Sequence, residues 1–427
     1  MITRRSVLMA GGIGNLLEWY DFAVFGYFAP FISAQFFPTD DPVSGLINTF
    51  GVFAAGYFAR PIGGVLFGQI GDRLGRKRAL QLSIFLMAVP TTLIAFLPTH
   101  AQVGNLAPVL LVILRLAQGI SVGGEFIGSC CYLVESAPPG QRGLFGSWST
   151  FGTVGGMLVG SAVATLIQDL LSTDQIHAWG WRLPFLGGLL VGVVGWQMRR
   201  RTEETPEFAR LQGAGQTEQR PALQALREMP VRVLQLAGIV LLFGVSIYTL
   251  FVWMPTYLMH FVIPPVPHAL LINTLCMVLL IATMPIAGLL ADRFGYKRIL
   301  GAGALVTGVL VYPLFRWIDS GTMLATAAAL AIFALINGLL QGAMPVAMAE
   351  LFPARLRYSA MAIGYNFALA IFGGTAPLVA TWLIKTTGNL AAPAWYLVAI
   401  AAITFVVTLT MRPHPDSQVA AVGSIRR

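Results

Sequence analysis

Twelve stretches of about 20 mostly apolar residues, the length a helix needs to cross a bilayer core, follow one another along this 427-residue chain. They run roughly over 12–36, 45–70, 79–98, 105–134, 144–171 and 180–198, then 233–261, 267–290, 299–318, 321–347, 358–385 and 391–411. The expected fold class is therefore an all-α membrane protein with twelve transmembrane helices. Composition agrees, with 56% hydrophobic and only 11% charged residues, too little polar surface to cover a soluble globule of this size. A disordered chain needs the opposite balance, and a DNA-binding domain carries its basic residues on a polar surface. Cys130, Cys131 and Cys276 lie in apolar runs and read as small core hydrophobes.

The one long polar stretch, Arg199 to Arg232, divides the chain. A six-span half at 1–198 is followed by a linker at 199–232, a second six-span half at 233–411 and a short tail at 412–427. When the loops are assigned alternately to the two sides, 22 of the 27 Lys and Arg residues fall on the side of the N-terminus, the linker and the tail. Cytoplasmic loops carry such an excess, so both termini are expected in the cytoplasm and the chain in the cell (inner) membrane. The net charge of +9 is then a topology signal, and no nucleic-acid partner is expected. The Arg4-Arg5 start reads as an uncleaved first helix rather than an export signal. Its apolar run continues past Glu18 and Asp21 without a small-residue cleavage site.

Two loops occur twice. Gly68-x-x-x-Asp72-Arg73-x-Gly75-x-Lys77-Arg78 returns as Gly288-x-x-x-Asp292-Arg293-x-Gly295-x-Lys297-Arg298, displaced by 220 positions. Glu135-x-x-Pro138-x-x-x-Arg142 returns as Glu350-x-x-Pro353-x-x-x-Arg357, displaced by 215. Each pair follows the second or the fourth span of its half, which argues for two homologous six-helix halves in the parallel-repeat arrangement of many transporters.

The first of these loops resembles the signature of the major facilitator superfamily. Further segments resemble the metabolite:proton symporter family, which takes up proline and betaine, 2-oxoglutarate, citrate or shikimate. They are Gly14-Asn15-Leu16-Leu17-Glu18-Trp19-Tyr20-Asp21-Phe22, Ala59-Arg60-Pro61-Ile62-Gly63-Gly64 and Gly119-Ile120-Ser121-Val122-Gly123-Gly124-Glu125. Others are Trp179-Gly180-Trp181-Arg182-Leu183-Pro184-Phe185, Glu203-Glu204-Thr205-Pro206, Gly364-Tyr365-Asn366 and Phe372-Gly373-Gly374-Thr375-Ala376-Pro377. The resemblance implies the major facilitator fold, with two pseudo-symmetric halves alternating access under a proton gradient.

Charged groups inside spans are costly and mark candidate sites. Glu18 and Asp21 are three residues apart and share a helical face. Two carboxylates this close in a low dielectric do not easily both stay ionised, which is what a proton carrier requires; the alternative is an arginine-paired packing lock. Arg60 is expected either to neutralise a first-span carboxylate or to hold a substrate carboxylate. Arg115-x-x-Gln118-Gly119-x-x-x-Gly123 resembles the fourth-span motif of proton-coupled facilitators, in which the arginine biases a nearby carboxylate. Its glycines let another helix approach closely. Glu125, ten residues on and about 15 Å along the helix, needs a partner other than Arg115; it is a second proton or substrate site, or an interhelical bond. Trp19, Tyr20, Tyr365 and Asn366 are candidate substrate contacts.

The duplicated loops form the expected cytoplasmic gate: Asp72, Arg73, Gly75, Glu135 and Arg142, with Asp292, Arg293, Gly295, Glu350 and Arg357. There a carboxylate can meet the unpaired NH groups of a helix N-terminus or an arginine. Arg142 and Arg357 are the expected partners of the aspartates within each half, with Glu135 and Glu350 pairing with Arg73 or Arg293.

The expected activity is proton-coupled uptake of a small organic acid, a mono- or dicarboxylate, because Arg60 and Arg115 suit a carboxylate. The alternative is a zwitterionic osmolyte such as proline or betaine, whose quaternary ammonium aromatic faces such as Trp19 can hold. Drug export is disfavoured because the fifth span, with its Gly152-x-x-x-Gly156-x-x-x-Gly160 stripe, lacks proline. A sensor would need a signalling domain, and an intramembrane enzyme a nucleophile–base or metal set, neither of which the sequence offers. No metal spacing or phosphate-binding loop occurs, so neither a cofactor nor ATP is expected. The expected partners are substrate, protons and lipid, and the expected functional unit is a monomer.

Overall fold

The computed structural model describes residues 4–39, 42–200, 203–216 and 218–415. Arg201 of the linker and Arg426 and Arg427 of the tail therefore lie outside the described residues. Among the described residues, twelve helices of span length lie in or near the expected windows, the first of which also takes in a short helix, Ala29–Phe36. They are α1 (Arg4–Tyr27), α2 (Pro42–Arg73), α3 (Arg76–Ile94), α4 (Leu106–Glu135), α5 (Arg142–Leu170) and α6 (Leu183–Arg200). They continue as α7 (Pro230–Trp253), α8 (Ala269–Phe294), α9 (Tyr296–Ile318), α10 (Met323–Glu350), α11 (Arg357–Thr387) and α12 (Ala392–Thr410). Eight of them, α4, α5 and α7–α12, are long and apolar enough to cross a membrane by length and composition. No strand occurs among the described residues.

The burial pattern is that of a protein in lipid. Phe58, Ile62 and Leu66 stand one turn apart on α2 and are 63%, 64% and 45% exposed, whereas Glu18, Asp21, Arg60 and Arg115 are 0–1% exposed. In water an apolar stripe of this kind would be an interaction site; in a bilayer it is the solvated face. The backbone remains satisfied because each span is a helix.

Two compact units form: Met1–Tyr132 with Gly152–Pro221, and Leu133–Phe151 with Ala222–Arg427. Inside them the sequence repeat reappears as packing. In the first, α3 packs on α6, α2 on α4 and α1 on α5; in the second, α9 packs on α12, α8 on α10 and α7 on α11. Small residues set these contacts, as the glycine spacings predict. A Cβ at Gly123 would lie 2.2 Å from the Arg60 carbonyl oxygen, and one at Gly156 would lie 2.2 Å from that of Leu16. Gly123→Ala is therefore expected to wedge α2 from α4 and lower stability by about 1–3 kcal/mol, the usual cost of overpacking. The thermal midpoint of the detergent-solubilised variant checks this; an unchanged midpoint would contradict it.

Gly75 and Gly295 occupy the same place in the two repeats, at the turns into α3 and α9, with φ of 109° and 87°. L side chains avoid this region, which accounts for glycine in both loops. α7 and α11 each contain a π-helical segment, Tyr248–Trp253 and Leu369–Gly373. The two pack together: a Cβ on Gly373 would stand 3.1 Å from the Tyr248 ring. π turns open the backbone ladder and concentrate at functional positions.

Candidate functional site

α1 is the scaffold of the site. Glu18, Trp19, Tyr20 and Asp21 occupy one turn of it, and all four are buried. The close α2–α4 contact brings Arg60 and Arg115 against that turn. Arg60 Nη2 stands 3.3 Å from Glu18 Oε1. Arg115 Nη1 donates to Asp21 Oδ2 at 2.5 Å and to Gln118 Oε1 at 2.8 Å. Gln118 Nε2 in turn donates to Asp21 Oδ1 at 2.9 Å and to Thr91 Oγ1 at 2.7 Å. The result is a chain, Arg115–Asp21–Gln118–Thr91, across α4, α1 and α3. A buried carboxylate is tolerable when matched and hydrogen-bonded in this way.

Glu125 accepts a hydrogen bond from Ser83 Oγ of α3. Ser121 Oγ donates to the Ser83 carbonyl at 2.6 Å, tightening the same α3–α4 contact. The Tyr20 hydroxyl donates to the Pro184 carbonyl at 2.7 Å, tying α1 to the start of α6. Trp19 faces Arg60, whose Cζ lies 5.8 Å from the indole centroid. Tyr365 and Asn366 belong to the second unit, where Tyr365 meets Phe243 edge-on at 5.9 Å and Asn366 Nδ2 donates to Ala362 O at 2.8 Å. In that unit Ser246 Oγ donates to Asn337 Oδ1 at 2.5 Å, and Asn273 Nδ2 donates to Phe251 O in the α7 π turn at 3.0 Å.

The loop pairings differ from expectation. Glu135 Oε1 meets Arg357 Nη1 at 3.0 Å, with both side chains at most 1% exposed. Asp292 accepts from the backbone N of Gly143 at 2.6 Å and of Leu144 at 2.9 Å, in the first turn of α5, which Arg142 opens. These contacts join one repeat to the other; Asp292 takes the helix-N-terminus alternative of the sequence reading rather than Arg357, and Glu135 meets Arg357 where Arg73 or Arg293 was expected. The reason is that the ends of α4 and α5, residues 133–151, pack inside the second unit.

Asp72 pairs with Arg76 at 3.1 Å, one turn along its own loop. Arg73 Nη2 donates to Gln219 Oε1 at 3.2 Å, while Arg293 lies over the Phe294 ring at 5.3 Å. The Glu350 carbonyl accepts from the His414 backbone N at 2.8 Å. Glu204 of the linker accepts from the backbone N of Arg76, Lys77 and Thr205 at 2.9–3.2 Å, capping the start of α3. Sequence reasoning missed the roles of Gln118, Thr91, Ser83 and Glu204. Gln118 and Glu204 lay in quoted motifs; Thr91 and Ser83 carried no mark beyond being polar in an apolar run.

Residues 7–243 match the family model for Sugar (and other) transporter, and residues 265–426 match that of the Major Facilitator Superfamily. The chain is 36% identical over 417 residues to the glycine betaine/proline/ectoine/pipecolic acid transporter OusA of Dickeya dadantii, covering 96% of this chain and 83% of that one. It is 34% identical to the proline/betaine transporter of Escherichia coli K12, with the same coverage. The putative proline/betaine transporter of Staphylococcus haemolyticus is 35% identical over 408 residues, covering 95% of this chain and 87% of that one. Among solved structures, the proton:xylose symporter XylE bound to 6-bromo-6-deoxy-D-glucose has the same fold, with a TM-score of 0.81 at 18% identity over 95% of this chain and 94% of that one.

The fold and the matched models define a multi-pass membrane transporter with twelve helices in two pseudo-symmetric halves, not an enzyme. The chain belongs to the major facilitator superfamily, in the same family as these proline/betaine transporters.

Proposed function

We propose that the chain is a proton-coupled symporter that takes up a zwitterionic osmolyte of the proline and betaine type across the inner membrane, working by alternating access as a monomer with both termini cytoplasmic. One observation carries the substrate class: each buried arginine already has a carboxylate. The organic-acid reading required Arg60 or Arg115 to be available to a substrate anion, and Glu18 and Asp21 engage them. With Glu125 the set holds three acids and two bases, a poor home for a dicarboxylate and a fitting one for a molecule with its own positive charge. The names of the relatives support the same class.

In this reading Asp21, biased by Arg115, and Glu18 are the proton carriers, with Glu125 on Ser83 as a further acid. Residues 1–198 and 233–411 are the two halves of the alternating-access cycle, joined by the linker. Glu135–Arg357 and Asp292 on the α5 N-terminus close the cytoplasmic side, with Asp72, Arg73, Arg142, Arg293 and Glu350 around them. The test is uptake by proteoliposomes under an imposed pH gradient, screened over betaine, proline, 2-oxoglutarate, citrate and shikimate. Betaine or proline is expected to accumulate at least about tenfold, which about 1.4 kcal/mol of proton driving force supplies. Accumulation of the carboxylates alone would restore the organic-acid reading.

A further inference from the structure

We propose that the aromatic rings around Arg60 form an onium-binding site, that the Arg60 guanidinium is its tethered occupant, and that a proton on Glu18 releases this occupant so that the substrate's ammonium group takes its place. The inference deepens the osmolyte reading above and rests on it. Arg60 Cζ lies 4.3 Å from the Tyr57 ring centroid, 5.3 Å from that of Phe22 and 5.8 Å from that of Trp19. Rings within about 6 Å of a cation attract it, and several rings converging on one point are how proteins recognise quaternary ammonium groups.

The box is built rather than incidental. Phe22 meets Tyr57 edge-on at 5.2 Å and Phe53 at 5.4 Å, and Trp19 stands 6.3 Å from Phe22. All three rings facing Arg60 are at most 5% exposed. They come from adjacent turns of α1 and from the α2 turn that carries Arg60 itself.

Arg60 Nη2 meets Glu18 through one carboxylate oxygen, Oε1, at 3.3 Å. Glu18 Oε2 is buried without a hydrogen-bond partner, leaving a position for a proton. The other charges whose field reaches Glu18 are Glu125 from α4 and Asp21 on α1. α3 and α6, which also pack on α1, carry charge only at their ends, on Arg76, Lys77 and Arg78 and on Arg199 and Arg200.

A proton from bulk water on Glu18 neutralises the carboxylate and frees Arg60 to leave the rings. Proton and onium then compete against the same Glu18–Arg60 pair, so each tightens the binding of the other. That reciprocity is thermodynamically required, and it is what symport demands of its two ligands.

The test is equilibrium binding of betaine to the full-length transporter in nanodiscs. Tetramethylammonium and 3,3-dimethylbutyrate, the uncharged-head isostere of betaine, serve as competitors. Wild type is expected to bind betaine about tenfold tighter at about pH 6 than at about pH 8, within the usual range of coupling between two ligands. Glu18→Gln should hold the tighter affinity at both. Tetramethylammonium should compete, and better at low pH, while the isostere should not. Competition by the isostere as strong as betaine's own, or a Glu18→Gln protein that keeps the wild-type pH profile, would overturn the proposal. If Glu18→Gln does not fold, equal tetramethylammonium competition at both pH values in wild type overturns it instead. Absence of any betaine binding by wild type would sink the osmolyte reading itself, a different result from betaine binding that ignores Glu18 and pH.

Discussion

Arg115→Ala is expected to lower the stability of the first unit by about 3–5 kcal/mol, the cost of stranding one member of a buried ion pair, and to abolish proton-driven accumulation. Arg115 and Asp21 are 1% and 0% exposed and meet at 2.5 Å. Asp21 is fully buried, so removing the guanidinium strands its carboxylate away from solvent. Gln118, whose Nε2 donates to the other Asp21 oxygen at 2.9 Å, offers a dipole in place of a charge. The double variant Asp21→Asn/Arg115→Gln removes both charges and keeps hydrogen-bonding groups, so it should recover most of the thermal midpoint. It should not recover full accumulation, because the Asp21 proton site is gone. Intrinsic-fluorescence melting in detergent, read beside pH-driven uptake, separates the two effects. A single variant that melts like wild type would contradict the assignment of Arg115 as the counter-charge of Asp21.

The second large effect is expected at Glu135 and Arg357. Arg357→Glu sets a carboxylate against Glu135 where an ion pair stood at 3.0 Å. It also removes the Nε donor to Ala349 O at 2.9 Å. Uptake should fall by at least about tenfold, since like charges facing each other in a buried site cost well over 1.4 kcal/mol. The exchanged pair Glu135→Arg/Arg357→Glu should regain part of the activity, not all of it, because the Ala349 carbonyl stays unsatisfied. Uptake per amount of protein in the membrane is the measurement. If the exchanged pair is no better than Arg357→Glu alone, the pair is not what links these two helix ends.

Most of the twelve spans were legible to within a few residues, because a bilayer imposes a length and an apolarity that a sequence cannot hide. α9 shows this well: expected over 299–318, it runs from Tyr296 to Ile318. α1 begins eight residues before its expected start and α7 ends eight before its expected end. The duplicated loops were legible for a related reason. Gly75 and Gly295 sit where the backbone needs positive φ, and a residue requirement of that kind leaves a letter in the sequence. The intramembrane charges stood out by their cost.

Which charge meets which was less legible, since a pairing depends on helices distant in the chain. Glu18 with Arg60 was one of two alternatives left open. Glu135 was paired within its own half, yet its partner Arg357 lies 222 residues away. The π turns in α7 and α11 left no mark, because a shifted backbone ladder changes hydrogen-bond register without requiring a particular residue. Gln118 illustrates the limit from the other side. It stood in a quoted motif, and its link to Thr91 needed the α3–α4 contact to become visible.

Proton flux measured with a pH-sensitive dye trapped inside proteoliposomes tests the central claim most directly. An inward betaine gradient, with no imposed pH difference, is expected to acidify the lumen of wild-type vesicles. Vesicles of the double variant Glu18→Gln/Asp21→Asn should exchange labelled for unlabelled betaine without acidification. Betaine entry into wild-type vesicles with no proton movement would contradict the account, whatever the substrate screen returned.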